Sequence, residues 1–230
     1  MIKNTKMQNS AFTLLELVFV ILVLGILTAL AIPRIDRDLR QEAADNILSA
    51  IRYARHMALM DNVTDPRHGD WQQAFWRFGI RTCLSAEGDV FYYVGSDEDR
   101  GGNIANSEAA IDPLNGKIML GAAGTSCASG SNNGASPNIF ITKKYGIKDT
   151  NMFSNCGNAS SGAGRYIGFD HLGRPHTGFA GETNTVPNYS TIMTSNCDLT
   201  FEFEDSTIDD LVIRIEKGTG HTYIVGQVDS

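Results

Sequence analysis

The sequence lacks the surplus of basic residues that a nonspecific nucleic-acid-binding protein needs. It has 19 Lys and Arg residues against 26 Asp and Glu residues, which gives a formal net charge of −7 over 230 residues. Binding to phosphate backbones depends on neutralisation by Lys and Arg, so this balance argues against such a role. With 42% hydrophobic and 20% charged residues, the composition is that of a folded protein.

The sequence also lacks the short motifs of common catalytic and metal sites. It contains no G-x-S-x-G, no H-E-x-x-H, no phosphate-binding glycine loop and no C-x-x-C pair. These absences favour a protein that is not an enzyme, and no cofactor is expected. His171 and His176 bracket a predicted turn, where we expect both side chains to be solvated.

A long apolar run lies close to the N-terminus. Residues 12–32 form a run of 21 residues in which Glu16 is the one charged residue, and Pro33 follows. A helix of this length would span about 30 Å, the thickness of a bilayer's hydrocarbon core. The pattern predicts a transmembrane helix, for which a plain signal anchor is the simplest reading. A carboxylate inside such a helix is costly, so Glu16 is a functional candidate.

The residues at the start of this run, AFTLLEL at positions 11–17, resemble the class III signal of type IV pilins and type II secretion pseudopilins. The resemblance implies that a prepilin peptidase cleaves between Ala11 and Phe12 and that the new Phe12 amine is N-methylated. This chain has Ala11 where the family usually has Gly. The resemblance also implies an assembly role for Phe12, Glu16 and Pro33, in which Glu16 neutralises the Phe12 amine of a neighbouring subunit.

Beyond Pro33, apolar residues continue at helical spacing. The stripe consists of Ile35, Leu39, Ala43, Ile47, Ile51, Ala54 and Ala58. Spacings of three and four residues predict one apolar face of an amphipathic helix. The charged residues between them, including Arg40, Arg52 and Arg55, are expected on a solvated face. The helix should end near Asp61, before the Asp65-Pro66 turn.

The rest of the chain reads as mostly β-structure. Candidate strands occupy residues 71–83, 89–94, 139–142, 166–169, 199–203, 211–215 and 222–225. No helix-length apolar pattern interrupts them, which predicts an antiparallel sheet. Between the strands, Gly, Ala, Ser and Asn account for 15 of the 18 residues at positions 121–138, which predicts a surface excursion.

Three further segments are similar to the GspH/FimT group of minor pseudopilins and minor pilins. They are IRYARHMALMDN at 51–62, YIGFDHLGRP at 166–175 and LVIRIEKGTGHTYIV at 211–225. Each match is short, but their order along the chain is that of the group. The resemblance therefore implies a pilin-like α+β fold, with one long N-terminal helix packed on an antiparallel β-sheet head.

All four cysteines, Cys83, Cys127, Cys156 and Cys197, lie in the predicted head. The predicted orientation places the head in an oxidising compartment, where an even number of cysteines favours two disulfides with three possible connectivities. Pairing of sequence neighbours, Cys83 with Cys127 and Cys156 with Cys197, is preferred. A four-cysteine metal site is the alternative, although the wide spacings disfavour it.

An acidic turn at residues 97–99 is followed by Gly101, Gly102 and Asn103. Asp97 and Asp99 are candidate Ca²⁺ ligands because carboxylate oxygens suit this ion. We interpret the segment as lacking a full EF-hand pattern, so a solvated acidic turn is favoured and no metal is expected.

These observations predict four regions. Residues 1–11 are a leader removed by prepilin peptidase, 12–33 a transmembrane and assembly helix, 34–62 an amphipathic helix, and 63–230 a β-rich periplasmic head. The expected location is the bacterial inner membrane, with a single membrane pass and, in the filament-incorporated form, the head in the periplasm.

The predicted function is that of a minor pseudopilin-like structural subunit of a type II secretion or type IV pilus filament, acting in filament initiation, assembly and protein secretion. Its expected partners are other pilins or pseudopilins, the prepilin peptidase and methyltransferase, an inner-membrane assembly platform and the membrane. The alternative is a minor pilin that binds DNA or a surface at a competence or adhesion tip. Residues 198–230 contain only two basic residues, Arg214 and Lys217, against eight acidic ones, so a nucleic-acid partner is not expected.

Overall fold

The computed structural model describes residues 14–83, 88–121, 134–154, 156 and 165–227, without the side chains of residues 29–38. The predicted processing residues Ala11 and Phe12 and the candidate disulfide residue Cys127 lie outside this range. So does the side chain of Pro33, whose backbone belongs to the first helix. The chain divides into two compact units, residues 1–39 and residues 40–230.

The longest element is the helix α1, Leu14–Met60, which contains 47 residues. Its predicted end near Asp61 is confirmed. The next two side chains act outside the helix, because the Asp61 carboxylate accepts a hydrogen bond from the Trp76 indole at 2.9 Å and the Asn62 amide oxygen accepts one from the Thr64 backbone at 3.1 Å. Such local side-chain bonds favour a turn over continued helix.

The prediction that residues 12–33 span a membrane is wrong. In the part of the chain that the structure describes, no helix is both long enough and apolar enough to cross a bilayer. The prediction of a single-pass inner-membrane location with a periplasmic head is wrong for the same reason.

The fold class is corrected on the same ground. The structure gives an α+β fold with antiparallel sheets, and none of the described residues forms the transmembrane helical half that the pilin-like prediction required.

Residues 40–230 contain two antiparallel sheets. The first has the strand order β2-β1-β3-β4, formed by β1 Trp76–Thr82, β2 Val90–Gly95, β3 Tyr166–Phe169 and β4 Pro175–His176. The second has the order β5-β6-β7, formed by β5 Cys197–Phe201, β6 Leu211–Ile215 and β7 Thr222–Ile224. Inward and outward side chains alternate along β5 and β6, as expected for a half-buried sheet.

One predicted strand is a helix. The structure has the short helix α2, Ile141–Tyr145, where the sequence analysis expected a strand at 139–142. Gly146 follows α2 with φ of +67°, and its backbone amide reaches the carbonyls of Ile141 and Thr142. A left-handed glycine that closes the last turn in this way is a common helix end. Residues 71–74, predicted as the start of β1, form a 3-10 turn.

The core of this unit includes the predicted stripe of α1. Ala43, Ile47, Ile51, Ala54 and Ala58 are all buried, which confirms the periodicity over that part of the helix. A second cluster, away from α1, gathers Trp71, Phe75, Tyr93, Ile104, Ala109, Leu120, Tyr166 and Phe179. This cluster holds the loop after β2 against the first sheet.

Candidate functional site

Three arginines of α1 bind backbone carbonyls of the head, and we call this set of contacts the helix anchor. Arg40 donates to the carbonyls of Asp209 and Asp210, both at 3.0 Å. Arg52 donates twice to the Thr222 carbonyl, at 3.2 and 2.7 Å. Arg52 is exposed, as expected for a solvated face, and Arg40 and Arg55 are partly exposed. Their guanidinium groups also satisfy backbone carbonyls of the head, one of which belongs to Thr222, the first residue of β7.

Arg55 is the centre of the helix anchor. Its Nε donates to the Gly173 carbonyl at 3.2 Å and to the Thr219 carbonyl at 3.1 Å. Arg55 lies in the segment 51–62, Gly173 in the segment 166–175 and Thr219 in the segment 211–225. Three segments that are far apart in sequence therefore meet at one guanidinium group.

Two glycines make this close approach possible. Gly173 has φ of +75° and Gly220 has φ of +65°, which L side chains rarely adopt. A Cβ added at Gly173 would lie 2.9 Å from Arg55 Nε, and one at Gly220 would meet the Gly173 carbonyl oxygen. Both positions thus require glycine for conformation and for space.

The turn that carries Gly173 is built around the buried carboxylate of Asp170. Its Oδ1 accepts from the backbone of Leu172 at 3.0 Å and of Arg174 at 2.9 Å, and its Oδ2 accepts from Arg174 Nε at 2.7 Å. Burial alone would raise the pKa of Asp170, but hydrogen bonds from His176 and Arg174 outweigh it and hold the pKa well below its usual range. The carboxylate therefore fixes the turn in its ionised form.

His176 is buried, which corrects the expectation that it is solvated. Its Nε2 lies 3.3 Å from Asp170 Oδ2 and its Nδ1 lies 2.7 Å from the Thr191 hydroxyl. This order of groups resembles a nucleophile, base and carboxylate. The Thr191 hydroxyl, however, is buried and already donates to the Asn188 carbonyl at 2.8 Å. The network therefore serves to hold the hairpin, and a cavity of about 130 Å³ lies beside it.

A second group of polar side chains lies in the loop after β2, residues 97–108, which we call the acidic loop. One carboxylate oxygen each from Asp97, Asp99 and Glu108 lies within 4.8 Å of the other two. Asp97 and Asp99 were predicted from the sequence as candidate ligands, whereas Glu108 was not. The available signal was spacing, because Glu108 is the twelfth residue counted from Asp97.

Asp97 forms a buried ion pair. Its Oδ2 lies 3.2 Å from Arg77 Nη2 and accepts a hydrogen bond from the Gly102 backbone amide at 3.1 Å. The Arg77 guanidinium also lies over the rings of Tyr166 and Phe179, at 5.4 and 5.6 Å from their centroids. Burial raises the pKa of Asp97, and Arg77 offsets part of that rise.

The preferred cysteine pairing is confirmed for Cys156 and Cys197, which form a disulfide with Cα atoms 4.5 Å apart. Cys83 is also disulfide-bonded, and none of the described cysteines is free. The alternative of a four-cysteine metal site is excluded, because thiols that form a disulfide cannot ligate a metal as thiolates. The Cys156–Cys197 bond ties the segment before it to the first residue of β5.

Residues 14–28 of α1 form the other part of the candidate site. Glu16 lies in the first turn of α1. Exposed apolar side chains surround it, with Leu14 and Leu15 more than 80% exposed and Phe19 67% exposed. Leu, Val and Ile occupy successive positions, so the apolar surface covers every face of this part of the helix.

No family model, curated protein or solved structure matches this chain.

Proposed function

We propose that this chain is a minor structural subunit of a filament of the type IV pilus or type II secretion kind, similar in role to a minor pseudopilin. The observation that carries the proposal is the change in burial along α1. Large apolar side chains are exposed from Leu14 to Leu27, whereas the apolar stripe from Ala43 to Ala58 is buried. In such a helix, the exposed part would contact other subunits and the buried part would attach the helix to its own head.

The exposed part of α1 requires a partner. A helix that is apolar on all faces is normally buried, and a contiguous apolar patch of this size marks an interaction surface. In a filament, the matching helices of neighbouring subunits would cover it. Association of this kind needs no pocket or catalytic group, which agrees with the proposal of a protein without chemistry of its own.

Glu16 supplies the specificity that apolar packing lacks. In the proposed filament, its carboxylate neutralises the amine that cleavage before Phe12 would create on a neighbouring subunit. Apolar helices can slide past one another at little cost, whereas a displaced charge pair leaves two charges without partners. The pair therefore sets the register of the subunits.

In the proposed assembly, the helix anchor would connect α1 mechanically to the head. Arg40, Arg52 and Arg55 reach carbonyls in three separate segments of the head: the loop before β6, the start of β7 and the turn between β3 and β4. Each charged donor contributes about 1.5–3 kcal/mol in a favourable case, in addition to the buried stripe. Forces applied to the helix from residue 40 onward would be transmitted to both sheets.

The DNA-binding alternative gains no support from the described residues. Arg214 is one of two basic residues in the segment 198–230, and it is held in a two-pronged pair with Asp198 at 2.6 and 2.7 Å. A guanidinium committed in this way is a poor phosphate ligand.

The test is to determine the mature N-terminus by mass spectrometry after expression with a prepilin peptidase. The proposal predicts a chain that begins at a methylated Phe12. Ala11→Leu provides the matched control, because a large side chain at a small-residue site should block cleavage and leave Met1 in place. An intact Met1 in the unmodified chain would overturn the proposal, and maturation of the Ala11→Leu chain at Phe12 would refute the predicted site.

A further inference from the structure

The acidic loop is closed at its base by backbone pairing. β2 ends at Gly95, which forms an antiparallel bridge with Ala109, and the Ser96 amide donates to the Glu108 carbonyl at 3.1 Å. These contacts place the first and last residues of the loop beside each other. Ile104, in the middle of the loop, is buried in the cluster with Tyr93 and Phe179. The position of Glu108 next to Asp97 is thus set by the fold.

The spacing of residues in the acidic loop matches a twelve-residue EF-hand loop. Such a loop has carboxylates at positions 1 and 3, glycine at position 6 and a glutamate at position 12. Counting from Asp97, these positions hold Asp97, Asp99, Gly102 and Glu108. Gly102 has φ of +84°, as the sharp turn at position 6 demands. The one departure is Gly101 at position 5, where a carboxylate or amide is usual.

An independent observation concerns the oxygen atoms of Asp97. The residue is fully buried, and its Oδ2 is already bound by Arg77 and by the Gly102 amide. Its Oδ1 is a buried carboxylate oxygen that has no hydrogen-bond partner among the described residues. A buried acceptor of this kind costs about 1–3 kcal/mol, and more when it is charged. A cation bound to this oxygen would offset the cost of burying it.

The acidic loop also carries negative charge that its neighbouring arginines do not fully balance. Asp97, Asp99 and Glu108 carry three negative charges, and Arg77 compensates one of them through its pair with Asp97. Arg100 is directed elsewhere, with its Nε 3.6 Å from Asp70 Oδ1. Two negative charges therefore remain, which is the charge that one divalent cation balances.

We propose that the acidic loop binds one Ca²⁺ ion through the carboxylates of Asp97, Asp99 and Glu108. Zinc and copper favour nitrogen and sulfur ligands, so a site that offers only oxygen ligands does not select for them. An irregular loop with a bidentate candidate at position 12 suits the larger, flexible coordination shell of Ca²⁺ better than the strict octahedron of Mg²⁺. The backbone carbonyl at position 7, Asn103, is the expected fourth protein ligand.

The ion would have a structural role. The acidic loop follows β2, and Asp97 joins it to Arg77 on β1, so bound Ca²⁺ would fix the loop against the first sheet. The inference does not depend on the proposed function, because the loop lies outside α1 and its test measures metal binding and not assembly.

The test is calorimetric titration of CaCl₂ into the metal-free 230-residue chain, with MgCl₂ titrated in parallel. We expect one Ca²⁺ site with a dissociation constant of roughly 10⁻⁵–10⁻³ M, since one side-chain ligand of the usual set is missing. Binding to the folded state alone should also raise the melting temperature in millimolar CaCl₂. No binding heat and no shift, or equal affinity for Mg²⁺, would overturn the assignment.

Two variants and a control locate the site. Asp99 is exposed, so Asp99→Asn should leave the melting temperature of the metal-free chain unchanged while weakening Ca²⁺ binding at least about tenfold. Glu98→Gln, an exposed neighbour at position 2 of the loop, should change affinity less than about twofold. Unchanged binding by Asp99→Asn would refute the site.

The missing ligand can also be supplied. Gly101→Asp adds a carboxylate at position 5, where the three atoms nearest to an added Cβ all belong to the Asp99 side chain, the closest at 2.8 Å. Asp99 is exposed, so the end of its side chain can shift by a few tenths of an ångström and remain in the loop, and the substitution should be accepted. We expect Ca²⁺ binding to tighten by about tenfold. Unaltered or weaker binding would contradict the position-5 assignment and with it the EF-hand register.

Discussion

The two parts of α1 differ both in the pattern of their apolar residues and in the environment of those residues. From residue 43 to residue 58, apolar residues keep to one stripe, arginines bind the head, and the stripe is buried. From residue 14 to residue 27, apolar residues occupy all faces and are exposed. Apolar residues that recur at the helical period form one face, which the rest of the same chain can cover. Absence of periodicity indicates a surface that other molecules must cover.

Glu16→Val would remove the one acidic group of the first turn of α1 and should have the largest effect on assembly. If Glu16 pairs with a neighbouring amine, losing about 1.5–3 kcal/mol per contact should lower filament incorporation by about ten- to a hundredfold. The measurement is photocrosslinking to neighbouring subunits from a reactive residue at position 19, in a host with the filament machinery.

The matched control for Glu16 is Glu42→Val, on the same helix. The Glu42 carboxylate pairs with Lys144 of its own chain at 3.0 Å, so its loss should leave crosslinking nearly unchanged. A reactive residue at position 114, where Leu114 is exposed on the head, gives the background yield. Equal crosslinking of the Glu16→Val chain and the unmodified chain would remove the assembly role assigned to this carboxylate.

Ile47→Ala and Ile21→Ala compare the two parts of α1 with identical chemistry. Ile47 is fully buried and Ile21 is 61% exposed. The first change creates a cavity and should lower the free energy of unfolding by about 4 kcal/mol. The second should change it by less than about 0.5 kcal/mol. Urea unfolding followed by circular dichroism measures both values, and similar losses would mean that residues 14–28 are packed within the monomer.

Asp170→Asn tests the turn that holds the carbonyl partner of Arg55. An amide cannot accept all the bonds of the carboxylate, so the free energy of unfolding at pH 7 should fall by about 2–3 kcal/mol. The measurement is urea unfolding of both chains at several pH values between 7 and 2.

The pH dependence of that effect follows from the lowered pKa of Asp170. Because the folded pKa lies below the unfolded one, the stabilisation is present above the unfolded value of about 4 and is lost as the pH falls below it. The destabilisation caused by Asp170→Asn should therefore shrink steadily as the pH falls below about 4. A difference between the two chains that stays constant down to pH 2 would contradict the assignment of this carboxylate.

Local pattern predicted much of the fold. The stripe of α1, the end of that helix and the strands β3, β6 and β7 follow from period and turn residues alone. The segment at 139–142 was mispredicted because a short apolar run fits a strand or a helix turn equally well. The segment forms a helix turn, which Gly146 closes in the left-handed conformation.

The contacts of the candidate site were beyond such reasoning. Arg55 binds carbonyls 118 and 164 residues away, and a backbone carbonyl leaves no signature in the sequence. Glu108 was missed because Gly101 interrupts the loop pattern at position 5, and only folding brings Glu108 beside Asp97. The burial of His176 likewise depends on Thr191 and Asp170, which come from different segments.

Arg55→Gln has the smallest expected effect and tests what holds the buried part of α1 to the head. The guanidinium Nε serves the carbonyls of Gly173 and Thr219 together, and the shorter amide cannot reach both. We expect the free energy of unfolding to fall by about 1–2 kcal/mol, because these partly buried carbonyls can regain water. His56→Gln, at the adjacent exposed position of α1, is the control and should change it by less than about 0.5 kcal/mol. Urea unfolding compares the two variants, and an equal effect of both would show that the buried stripe alone attaches the helix.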